Sequence, residues 1–110
     1  MNDTTINPIA KLNDAFRQTF IGGTVVLTIG IQALPEIDQC GLLEAVQQFN
    51  HFTPDSDPYG EHDFGAFNHN GHRINFKIDY YDLTLTYGSE DPADPTQTKR
   101  VLTVILGEEY

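Results

Sequence analysis

Asp63-Phe64-Gly65-Ala66-Phe67-Asn68-His69-Asn70-Gly71-His72-Arg73-Ile74-Asn75-Phe76-Lys77-Ile78-Asp79 is the stretch that decides the fold. Asn70-Gly71 sits between two strand-like runs, and both residues tolerate the positive φ angles that a type I′ turn demands. The second arm alternates: Ile74, Phe76, Ile78 and Tyr80 fall on one face, and Arg73, Asn75, Lys77 and Asp79 on the other. Such alternation marks a strand with one buried and one solvated face. With Asn70-Gly71 as a two-residue turn, paired positions sum to 141, so His69 faces His72. The same register, carried to the base of the hairpin, sets His62 opposite Asp79.

Working outward, the chain before the hairpin reads as helix, strand, helix. Asn7 is a helix cap and Pro8 suits the first helical position. Ile9, Leu12, Phe16 and Phe20 then form an apolar stripe, with Lys11, Asp14 and Arg17 off it, and Gly22-Gly23 ends the helix. Thr24–Ile31 is β-branched and apolar on both faces, which predicts a strand buried on both sides. A second helix is expected from Asp38 to about Phe49, with Leu42, Leu43, Val46 and Phe49 facing inward. Residues 50–62 carry turn chemistry in Thr53-Pro54, Asp57-Pro58 and Tyr59-Gly60. After the hairpin, Leu83, Leu85 and Tyr87 suggest a short strand and Gly88–Thr98 a polar loop. Val101–Leu106, apolar on both faces, reads as a central strand. The expected architecture is therefore one small α+β domain: a mostly antiparallel sheet of four or five strands with two helices packed on one face.

The chain has 110 residues, a size that buries roughly 65% of its unfolded surface and supports a core without disulfides or metals. Cys40 is the only cysteine, which fits a reducing, cytoplasmic setting. No apolar run reaches the roughly 18 residues that span a bilayer. The N-terminal MNDTTINP lacks the basic start and apolar centre of a signal peptide.

Charge is the main functional clue. Sixteen Asp and Glu oppose six Lys and Arg, a formal net charge of -10. Residues 51–110 hold eleven of those acids against four bases, and the stretches 51–72 and 78–98 contain no Lys or Arg. Such a charge disfavours direct contact with nucleic acid or anionic membranes and favours a basic partner.

Several motifs are specific enough to compare with known families. Asn13-Asp14-x-Phe16-Arg17, Gly22-Gly23, Asp57-Pro58-Tyr59-Gly60-Glu61-His62-Asp63-Phe64-Gly65 and Lys77-Ile78-Asp79-Tyr80-Tyr81-Asp82 occur in order. Ser89-x-Asp91-Pro92-x-Asp94-Pro95, Thr98-x-Arg100-Val101-Leu102-Thr103 and Glu109-Tyr110 follow. Together they resemble an uncharacterised bacterial family, a domain of unknown function common near conjugation and mobile-element genes. Where that family usually has Trp before Lys-Ile-Asp-Tyr-Tyr-Asp, this chain has Phe76. The resemblance implies no activity. It does imply a gene that travels on mobile elements, where small acidic proteins often disarm host defence.

The leading expectation is thus an acidic interaction protein, not an enzyme and without a cofactor. It would occupy a basic, nucleic-acid-binding surface on another protein, as a DNA mimic acting on a CRISPR effector or a restriction enzyme. The expected contact residues are Asp55, Asp57, Glu61, Asp63, Asp79, Tyr81, Asp82, Glu90, Asp91 and Asp94. Nine carboxylates equal the charge on about 15 Å of duplex. The alternative is a small enzyme or metal-binding domain centred on Glu61, His62 and Asp63. Spacing weighs against a shared metal site, because seven extended residues put His62 about 23 Å from His69. Asp55-x-Asp57-x-Tyr59-Gly60 begins like a calcium loop, but its fifth position is Tyr59 and its twelfth is Ala66, where a bidentate Glu belongs.

Overall fold

The hairpin forms in the expected register, with Phe64 opposite Lys77 and His69 opposite His72. Asn70 and Gly71 take φ of 49° and 83°, the left-handed pair of a type I′ turn. The computed structural model describes residues 7–110; residues 1–6, which carry most of the N-terminal stretch read above, lie outside them.

Helix α1 spans Pro8–Thr19 and is capped by Asn7, whose side chain accepts from the Ile9 N–H at 2.8 Å. Strand β1 (Gly23–Leu27), a short helix α2 (Ile29–Gln32) and helix α3 (Glu36–Gln48) follow. The hairpin supplies β2 (Phe64–His69) and β3 (His72–Tyr81), and β4 (Lys99–Leu106) leads into a 3₁₀ turn at Gly107–Glu109. The result is an α+β domain with a four-stranded sheet in the order β1-β4-β3-β2. Its core joins Phe16 of α1 and Leu42 and Val46 of α3 to Ile74, Phe76, Ile78, Leu102, Val104 and Leu106 of the sheet. The opposite sheet face carries Asn75, Lys77, Asp79, Val101, Thr103 and Ile105, all half-buried.

The sheet is mostly antiparallel, as expected, with only β1 running parallel to its neighbour β4. Three other expectations fail. β1 is an edge strand with Gly23, Thr24 and Val26 exposed, and it stops at Leu27 because Thr28 caps α2 instead of extending it. Leu83–Tyr87 is no strand: Leu85 has φ of 60° and all three apolar side chains are exposed. The inward face of α1 is also rotated from the apolar stripe. Asn13 and Arg17 are buried alongside Ala10 and Phe16, while Ile9 and Leu12 are only half-covered. That rotation brings polar groups into the interior and builds the site described next.

Candidate functional site

Asn13 is fully buried and touches three other elements. Its Nδ2 donates to the Glu61 carbonyl at 2.9 Å and to the Tyr80 hydroxyl at 2.8 Å. Its Oδ1 accepts from Arg100 Nε at 2.7 Å. Tyr80 and Arg100 are cross-strand partners on β3 and β4, so the sheet register itself places them side by side. The guanidinium lies 5.2 Å from the Tyr80 ring centroid, a cation–π distance, and Nη2 donates to the Pro92 carbonyl. The Tyr80 hydroxyl donates to Glu61 Oε1 at 2.7 Å. Burial, reinforced by this bond to a carboxylate, raises the Tyr80 pKa far above its ordinary value, so it stays a phenol.

A second group adjoins the first through Asp14. His62 Nδ1 lies 3.0 Å from both Asp14 oxygens, and its Nε2 lies 3.9 Å from Asp57. Arg17 Nη1 donates to Asp14 at 2.9 Å and Nη2 to the Phe49 carbonyl at 2.9 Å. Phe52 connects His62 and Arg17. His62 stacks on it at 4.1 Å and 5°, and the Arg17 guanidinium lies 5.2 Å from its centroid. Asp57 is buried, accepting the N–H groups of Glu61 and His62 at 3.0 and 3.1 Å. Those bonds hold His62 at φ 58°, a conformation that costs about 1 kcal/mol in a non-glycine residue. Strand β2 therefore starts only at Phe64, and the expected His62–Asp79 cross-strand pair does not form.

The ten acidic and aromatic positions expected to meet a partner separate in space. Asp57 is buried, and Glu61 is half-buried with its carboxylate engaged by Tyr80 on the helix side of the sheet. Asp79 pairs with Val101 on the opposite face and forms an ion pair with Lys77 at 3.3 Å. Tyr81 is half-buried and Asp55 is exposed in its loop. Asp63 is half-buried; burial, and secondarily the nearby Glu61, Asp57 and Asp79 charges, raises its pKa against an opposing backbone hydrogen bond.

Asp82, Glu90, Asp91 and Asp94 belong to a separate lobe between β3 and β4. Asp82 accepts from Thr84 Oγ1 at 2.8 Å and from the N–H groups of Thr84 and Thr86, each at 3.1 Å, and these bonds lower its pKa. Asp94 is likewise lowered by Thr96 and Gln97, with Thr96 Oγ1 at 2.6 Å. Asp82, Leu83, Tyr87, Gly88, Glu90 and Gln97 line a groove of about 370 Å³. Leu83, Leu85 and Tyr87 are 55, 52 and 73% exposed, far more than an ordinary strand would leave them.

The histidines at the hairpin tip, His69 and His72, face each other as register requires. Among the described residues, no three His, Cys, Asp or Glu side chains converge in a metal-binding arrangement. No helix among them is long and apolar enough to cross a membrane.

Fold and site together define a small α+β domain whose helical layer is locked to a mixed sheet by buried polar side chains. Residues 27–109 match the family model described as a protein of unknown function (DUF3768), and the chain belongs to that family. The matched region holds Glu61, Tyr80 and Arg100, whereas Asn13, Asp14 and Arg17 precede it. No curated protein and no solved structure matches the chain.

Proposed function

We propose that this protein is an acidic interaction module that docks on a basic surface of another protein through the lobe at residues 82–97. The observation that carries the reading is the groove in which Asp82 and Glu90 flank exposed Leu83 and Tyr87. Carboxylates supply charge complementarity and encounter rate, and an aromatic anchor supplies affinity. Loop hydrogen bonds hold the Asp82 and Asp94 carboxylates in place, so little ordering entropy is lost on binding. Residues 78–98 contain no Lys or Arg to neutralise them. In its narrower form, the reading makes the partner surface one that otherwise binds nucleic acid, as in a CRISPR effector or restriction enzyme, with this protein as its inhibitor.

The test is capture from a host lysate at low and high salt, with wild type and with Tyr87→Ala. A basic, nucleic-acid-binding protein retained at low salt, released at high salt and lost with Tyr87→Ala supports the reading. Duplex DNA should then compete with capture. Partners that ignore both salt and Tyr87→Ala would refute it.

A small enzyme or metal-binding centre at Glu61, His62 and Asp63 is the second reading, favoured by the half-exposed His62 held against Asp14. Stoichiometric zinc in purified protein, lost with His62→Gln, would support it over the first.

A further inference from the structure

Arg17 and Arg100 are both buried, at 2 and 4% exposure, but only Arg17 has a carboxylate partner. Among the described residues, no Asp or Glu oxygen lies within 4.0 Å of the Arg100 guanidinium. Its Nε is held by Asn13 and its Nη2 by the Pro92 carbonyl, while Nη1, which is not fully buried, has no hydrogen-bond partner among those residues. A guanidinium has five N–H donors, and a buried cation ordinarily requires an anion. Arg100 also lines a groove of about 160 Å³ whose other walls are mostly apolar, Leu12, Ala15, Phe16, Ile21 and Pro95 among them, with Thr98 the other polar side chain.

A guanidinium with no carboxylate in direct contact, the Glu61 charge reaching it only from beyond Tyr80, beside mostly apolar walls favours a ligand with one negative charge and a hydrocarbon tail. The planar guanidinium fork matches a carboxylate. The net charge of -10 disfavours a multiply charged anion such as phosphate. For scale, an apolar cavity of about 150 Å³ accommodates benzene. We propose that this groove binds a small monocarboxylate with an apolar tail, its carboxylate taken by Arg100. The site is independent of the lobe at residues 82–97 and of the partner proposed there.

NMR titration of the full chain tests this, following the Leu12 and Ile21 methyl groups and Arg100 Nε. The probes are butyrate, inorganic phosphate and 1-butanol, each taken to about 50 mM, a range that detects millimolar affinity. Butyrate should give saturable shifts at all three reporters, with phosphate and butanol at least about tenfold weaker. Ala15→Phe, placed on the exposed side of α1, should fill the groove and abolish the butyrate shifts while Asn13 and Arg100 stay intact. The proposal fails if butyrate does not saturate, if phosphate or butanol matches it, or if binding survives in a folded Ala15→Phe protein.

Discussion

Asn13 Oδ1 accepts from Arg100 Nε at 2.7 Å, joining residues 87 positions apart inside the core. The same amide also binds Tyr80 and the Glu61 carbonyl, so Asn13→Ala strands three groups at once. Leaving a buried charged donor unpaired costs more than a single neutral hydrogen bond. Asn13→Ala should destabilise the protein by about 2–4 kcal/mol, read as a lower urea midpoint with unchanged slope.

Gly65 lies opposite Phe76 on the inner face of the hairpin. A Cβ there would overlap the Phe76 ring and come within 2.8 Å of Phe49. Phe49 and Phe76 pack edge to face at 5.2 Å, so neither ring can give way without disturbing the other. Gly65→Ala should therefore cost about 1–3 kcal/mol, measurable by thermal or urea unfolding.

The pH dependence should show two opposite contributions. Asp82, Asp94 and Glu109 have lowered pKa values in the folded state, from hydrogen bonds to Thr84, Thr96 and Thr28 respectively. Their stabilisation is present above the unfolded values of 3.8 and 4.5 and is lost as pH falls through the folded values. Asp63 works the other way. Its raised pKa means the folded state binds the proton more tightly, so a penalty develops as pH rises from 3.8 through the folded value and persists above it. Asp63→Asn should raise the urea midpoint at pH 7, and the gain should vanish below pH 3.8. A gain that persists in acid would show that charge is not its cause.

The hairpin was legible because its signals are local: a two-residue turn and a period-two pattern fix both register and buried face. Helix α1 was legible in extent but not in rotation. Periodicity assigns apolar residues inward, whereas Asn13 and Arg17 are buried with distant acceptors in Phe49, Glu61 and Tyr80, only Arg17 Nε being left without one among the described residues. No local signal names such partners. The motif residues Asn13, Glu61, Tyr80 and Arg100 nevertheless all enter one network, so their unusual polarity within patterned segments was the available hint. β1 reads as buried on both faces because hydrophobicity alone does not distinguish an edge strand from a buried one. The acidic stretches were visible as composition. The β3 alternation puts Asp79 on one face and Tyr80, with its Glu61 partner, on the other, so these two carboxylates do not share a patch.

Asp57 acts on a loop and not on the sheet. Its carboxylate accepts the Glu61 and His62 N–H groups and so maintains the left-handed His62 backbone. That backbone aims the imidazole at Asp14 and stacks it on Phe52. Asp57→Ala removes both acceptors and releases the strain, and should cost about 1–3 kcal/mol. The loss should be local. Amide hydrogen exchange should accelerate at Glu61 and His62 well before it does at Phe76 or Val104, whose hydrogen bonds belong to the sheet ladders. Uniform acceleration across the sheet would instead mean that Asp57 supports the whole fold.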